Sequence, residues 1–198
     1  KKKKKNMFLI SDEAYSDFIP PTKKFYSAIS ADKKKQRTIV VNSLSKNFGM
    51  GGWRIGYAIA NRKITNKLLI LNQHLITCAP SILQTYLSEN FFKLYKSNII
   101  EIKKLQKKRK IIENFMKKNN ISYLDGDSTF YFFLCVERKV NVDNLCKKLL
   151  LKKLISVVPG RAYGKNTRQF IRVSIGTEKV KNITKALKII SKEIKAAI

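Results

Sequence analysis

With 198 residues, 44% of them hydrophobic, the chain can bury the core of one large domain or two modest ones, and its composition excludes disorder. Its apolar runs stop well short of the ~18 residues of a membrane helix, and Lys1–Lys5 followed only by Met7-Phe8-Leu9-Ile10 before Asp12 and Glu13 does not read as a signal peptide. The formal charge of +29 invites a nucleic-acid partner, but of 42 basic residues 34 are Lys, spread among Asn and Ile, and only 8 are the Arg that grips phosphates and bases bidentately; a compositional bias explains the charge better.

Met7 to Ile10 predict a short buried strand, with Ser11 to Tyr15 as its exit. Pro20-Pro21 break the chain. Thr38 to Val41, β-branched throughout, predict a second buried strand, followed by Asn42 to Lys46 and a glycine-rich stretch through Gly49, Gly51 and Gly52. Arg54 to Ala60 predict a third strand. Runs this continuously apolar belong to a mostly parallel sheet covered on both faces. From Ser81, taken as an N-cap, the pattern turns helical: Ile82, Leu83, Tyr86 and Leu87, then Ile102, Leu105, Ile112, Phe115 and Met116, in one long helix or a kinked pair that ends at Asn119-Asn120. The rest alternates: strand Tyr131–Val136, amphipathic Val142–Lys153, strand Ile155–Val158 ending at Pro159-Gly160, and strand Phe170–Ile175. A final helix is expected to be capped by Thr177 with Glu178 in its first turn, its stripe formed by Val180, Ile183, Leu187, Ile190 and Ile194. Lys1–Lys5 and Lys33–Lys35 are expected in solvent.

Cys78, Cys135 and Cys146 form no Cys-x-x-Cys pair and suggest a reducing compartment; Cys135 is expected in the core. His74 is the only histidine and is expected to be structural, and no Cys/His cluster has metal-ligand spacing.

The chemistry concentrates after the second strand, in Ser43-Leu-Ser-Lys46-Asn-Phe-Gly-Met-Gly-Gly-Trp-Arg54-Ile-Gly56. A buried strand delivers hydroxyls at its carboxyl end, where open α/β sheets bind ligands. Glycines admit a ligand close to the backbone, and Arg54 offers a fork of donors to a phosphate. A lysine set beside another cation is the type of amine that attacks an aldehyde. On these residues alone, an anion site and a plain glycine-rich turn with a chance lysine both remain open.

The stretch resembles the cofactor-attachment region of class I/II aminotransferases: hydroxyl, apolar, small, Lys, two free residues, Gly, apolar, then Gly-x-Arg-apolar-Gly. The resemblance implies that pyridoxal 5′-phosphate is attached to Lys46, with Ser43 and Arg54, and secondarily Ser45, holding its phosphate. A second block, Asp12-Glu13-Ala14-Tyr15, resembles the family's Asp-x-x-Tyr; it implies Asp12 against the pyridine nitrogen and Tyr15 near the ring's 3-oxygen. A third, Val157-Val158-Pro159-Gly160 through Tyr163-Gly164 to Phe170-Ile171-Arg172-Val173-Ser174, implies Arg172 as the clamp on the substrate α-carboxylate, with Arg161 and Arg168 as weaker candidates.

The resemblance covers essentially the whole chain. It implies an α/β, fold type I protein: the end of a large cofactor domain with a mostly parallel sheet (1–80), a connecting helix or helices (81–119) and a small α/β domain (120–198). The chain opens without an initiating Met and is expected to be a carboxy-terminal part that does not hold the cofactor tightly alone. The implied reaction moves an amino group between an L-amino acid and a 2-oxo acid, in a cytoplasmic homodimer, with no metal, membrane or nucleic-acid partner. A β-lyase of the same fold and a non-catalytic basic nucleic-acid-binding domain are the competing readings.

Overall fold

Three short strands near the start of the chain form one sheet in the order β1-β2-β3: Leu9–Asp12, Thr38–Ser43 and Gly56–Ile59. These elements belong to a computed structural model that describes residues 7–34 and 36–197; the basic run Lys1–Lys5 and the last residue of Lys33–Lys35 lie outside the described residues. β1 runs parallel to β2, from Leu9 opposite Thr38 to Asp12 opposite Val41. β3 returns antiparallel, with Ser43 opposite Gly56. Alternation along β2 buries Thr38, Val40 and Asn42.

β1 corrects the expectation of a buried strand at Met7 to Ile10. The strand starts two residues later, and Met7, Phe8, Leu9 and Ile10 are 52–68% exposed. Among the described residues β1 is an edge strand with one neighbour. Apolar composition reports that a segment favours cover, not that this chain supplies it. The third strand is also shorter than Arg54–Ala60, because Arg54 takes a left-handed backbone (φ 54°) that no strand contains.

Helix α1 is a single turn, Leu44–Asn47, and α2 spans Arg62–Leu75. α2 was absent from the sequence reading, although Asn61 caps it, accepting from the Ile64 N–H at 3.0 Å. None of its residues is buried. His74 lies exposed in its last turn, not in an apolar structural setting. The long helix is continuous: α3 runs Ser81–Lys118, with Ser81 inside its first turn and Asn120 at φ 52° just beyond its end.

The chain divides into two compact units, residues 1–102 and 103–198. In the second, strands β4 (Tyr131–Cys135), β6 (Phe170–Ser174) and β5 (Val158–Pro159) pair antiparallel in the order β4-β6-β5, and helices α4 (Val142–Lys153) and α5 (Val180–Lys195) accompany them. β5 keeps only the last part of the expected Ile155–Val158 strand. α5 begins at Val180 with Lys179 at the cap position, so Thr177 does not cap it; Glu178 accepts from Asn182 Nδ2 at 2.9 Å instead. The expected stripe holds: Ile183, Leu187 and Ile190 are buried, with Val180 and Ile194 packed beside them. Phe132 and Leu134 face this core, so alternation leaves Cys135 only half-buried, while Cys146 on α4 is buried. Two charges share the interior. Glu193 bridges Lys148 and Lys153 at 2.6 and 3.2 Å. Arg109 donates to the Tyr131 and Gly126 carbonyls and lies over the Phe132 ring.

Candidate active site

The first unit gathers its functional side chains beyond the carboxyl ends of β1 and β2. Asp12 ends β1 and is exposed; its Oδ1 accepts from the Ala14 N–H at 3.1 Å, which fixes the turn out of the strand. Tyr15 follows, half-buried, with its ring edge-on to Phe18 at 5.6 Å. Between them Glu13 is buried and accepts from Ser11 Oγ, Ser27 Oγ and the Ala28 N–H. Sequence reading passed over Glu13. It anchors the Asp12–Tyr15 turn to a segment fourteen residues away, and nothing local signals such a partner.

Ser43 ends β2 and caps α1: its Oγ accepts from the Ser45 N–H at 3.2 Å. Lys46 lies in that helical turn, half-buried. Its neighbour Asn47 is buried and donates from Nδ2 to Ser16 Oγ at 3.3 Å, tying the lysine turn to the segment that follows Tyr15; its Oδ1 has no hydrogen-bond partner. Gly49 has φ +65°, which only glycine adopts freely, and the chain then turns back. Arg54 is exposed and its Nη1 donates to the Gly51 carbonyl at 2.9 Å. Gly56 lets the returning strand close on β2: a Cβ there would stand 2.6 Å from the Asn42 carbonyl oxygen. Beside these residues, burial raises the Asp17 carboxyl above the usual range, and burial, then the Asp17 charge, raises the phenols of Tyr57 and Tyr95.

The structure therefore brings Asp12, Tyr15, Ser43, Lys46 and Arg54 into one unit, on adjacent strand ends and the turn between β2 and β3. Arg172 is in the second unit, on central strand β6, opposite Phe133 of β4 and Val158 of β5. Its guanidinium carbon is 4.3 Å from the Tyr131 ring centroid and 4.4 Å from that of Tyr163. Of the weaker candidates, Arg161 is engaged by Asp143 at 2.6 Å, and Arg168 lines the same cleft as that pair, with Asn141 and Lys165.

The donor set of the first unit suits pyridoxal phosphate. The unit supplies an amine, an exposed carboxylate, hydroxyls and a guanidinium, and a Cβ at Gly49, Gly51 or Gly52 would meet no atom within 4 Å, so the backbone there lies open to a ligand. Among the described residues no group of His, Cys, Asp and Glu could hold a metal, and no helix is long and apolar enough to cross a membrane.

An α/β sheet with polar side chains beyond the carboxyl ends of its parallel strands is the plan of a ligand-binding enzyme domain. The family is specific: the model for aminotransferase class I and II matches residues 1–190, and the chain belongs to that family, whose members depend on pyridoxal phosphate. An aspartate aminotransferase of Thermotoga maritima is 30% identical over 187 residues, covering 93% of this chain and 47% of its own length. A (5-formylfuran-3-yl)methyl phosphate transaminase of Methanocaldococcus jannaschii is 32% identical over 168 residues, covering 84% and 45%. Among solved structures, an aromatic aminotransferase of Pyrococcus horikoshii superposes with a TM-score of 0.85 at 26% identity, covering 96% of this chain and 51% of its own. The chain spans about half the length of the curated relatives it matches.

Proposed function

We propose that this chain is the lysine-bearing and carboxylate-binding part of an aminotransferase that moves an amino group between an L-amino acid and a 2-oxo acid. The observation that carries the reading is the Ser43-to-Gly56 turn: a capped helical turn with Lys46, an open glycine segment, and Arg54 folded back on Gly51. Ser43 and Arg54, with Ser45 beside them, would hold the cofactor phosphate, since hydroxyls and a fork of charged donors satisfy its oxygens. Asp12 would hold the proton on the ring nitrogen, and Tyr15 would donate toward the ring's 3-oxygen. Pyridoxal phosphate, when bound, supplies the electron sink for the substrate carbanion. Lys46 would be the attachment point and then move the proton at the substrate α-carbon as general base and acid. Arg172 would grip the substrate α-carboxylate bidentately.

Residues 1–80 would then belong to the large cofactor domain, 81–119 to the connector and 120–198 to the small domain. The enzyme would work as a cytoplasmic homodimer in amino-acid metabolism. The exposed Leu69, Ile70, Leu71 and Leu75 of α2 give a second subunit apolar surface to cover.

Hydride reduction of the cofactor-loaded protein followed by peptide mapping tests the assignment. The label is expected on Lys46 and absent in Lys46→Ala; a label on any other lysine overturns it.

A further inference from the structure

Arg172 stands on the central strand of its sheet, and the two rings that flank it come from opposite sides. Tyr131 belongs to β4, and Tyr163 ends the 3-10 turn Gly160–Tyr163 that follows β5. At 4.3 and 4.4 Å from the guanidinium carbon, both rings are at stacking distance. Tyr163 is steadied in turn by the edge of Phe133 at 5.4 Å, and Phe133 is the cross-strand partner of Arg172. Phe130 packs on Tyr131 at 4.5 Å. The two rings thus have their own supports.

A guanidinium has two faces, which carry no hydrogen, and an edge, which carries all five N–H donors. Rings packed over the faces leave the edge for a ligand. A carboxylate is planar and can meet that edge with both oxygens in one plane. The rings also restrict the long side chain before any ligand arrives, so less freedom is lost on binding.

We infer that Tyr131 and Tyr163 are positioning residues that preset the plane of the Arg172 guanidinium and thereby set the affinity for the substrate carboxylate. The inference rests on the reading of Arg172 as the carboxylate ligand. It predicts that the rings matter as surfaces and their hydroxyls do not. A sheet-stabilising role alone would move the melting temperature and leave carboxylate affinity where it was.

The test compares Tyr163→Leu, Tyr163→Phe, Tyr131→Leu and Arg172→Lys in the cofactor-loaded protein. It measures KM for both substrates, kcat, and binding of the unreactive dicarboxylate succinate. Tyr163 is 42% exposed, so its replacement leaves the core intact even where Tyr131→Leu disturbs it. Each Leu variant is expected to raise KM and the succinate Kd about tenfold with little change in kcat, while Tyr163→Phe stays near the parent. Arg172→Lys, which keeps the charge but neither stacks as a plane nor offers the fork, is expected to lose about 100-fold or more. In the ¹⁵N-labelled protein the Arg172 Nε–H resonance is expected at a ring-shifted position that Tyr163→Leu abolishes. If Arg172→Lys loses affinity but both Leu variants keep parental KM and Kd, the stack is structural and the inference falls alone. If Arg172→Lys keeps parental affinity, Arg172 is not the carboxylate ligand and both readings fall.

Discussion

Residues 103–198 enclose a core: Ile112, Met116, Leu149, Ile171, Ile175, Leu187 and Ile190 are at most 1% exposed, with helices and sheet packed around them. Residues 1–102 hold a smaller buried cluster, Leu44, Phe48, Met50, Ile55 and Leu87, directly behind the lysine turn, and leave β1 and the whole of α2 outward. The second unit closes a continuous core, although Leu151 and Leu154 at the end of α4 stay exposed. The first packs the turn that carries Lys46 and leaves its remaining apolar surface exposed. Substitutions can therefore be chosen that act on a buried core or on exposed residues of the proposed site.

The sharpest break is at Asp12. Asp12→Asn keeps the Oδ1 acceptor for the Ala14 N–H and removes only the charge, so the melting temperature is expected to hold, while kcat of the cofactor-loaded protein falls by ~10²–10⁴-fold. Near-parental turnover would remove Asp12 from the proposed site. A matched pair of truncations probes packing directly. Leu187→Ala, in the second core, is expected to cost about 2–5 kcal/mol, and Leu69→Ala on α2 less than about 0.5 kcal/mol, in urea unfolding of the chain as a monomer. If Leu69→Ala costs as much as Leu187→Ala, the α2 face is covered in solution and the comparison fails. The smallest effect is expected at Glu193. Hydrogen bonds from Lys148, then Lys153, hold its carboxyl below the ordinary value of 4.5. The group's contribution is therefore complete above about pH 4.5 and is lost as pH falls through the lowered folded-state value. Glu193→Gln should flatten the acid limb of the stability profile; an unchanged limb would show that the bridge adds nothing.

The lysine turn was legible in the sequence because its constraints are local: a strand end, a capping hydroxyl, a positive-φ glycine and a glycine pressed on a neighbouring strand all lie within Ser43–Gly56. The α5 stripe was legible because burial on one side imposes its period. The exposure of β1 was not, because an edge strand and a central one have the same composition. α2 escaped because Leu68 to Leu71 run consecutively rather than at helical spacing, and because no core imposes a period on it. Thr177 looked like a cap, yet the cap position falls two residues on at Lys179 and the helix starts at Val180. Glu13, Arg109 and Glu193 were lost among many charged residues, since what distinguishes them is a partner far away in sequence. The stacking of Tyr131 and Tyr163 on Arg172 depends on strand order, which no single segment encodes.

Two of the three thiols give the molecule a built-in clock. Cys78, in the first unit, is exposed. Cys146 is buried on α4, where burial and then the Asp143 charge push its thiol up to about 11. Alkylating reagents attack the thiolate, so Cys146 stays silent while its core is closed and reacts only in moments when that core opens. Its rate of modification counts those openings in the native protein, without an engineered probe, and Cys78 in the same tube calibrates the reagent.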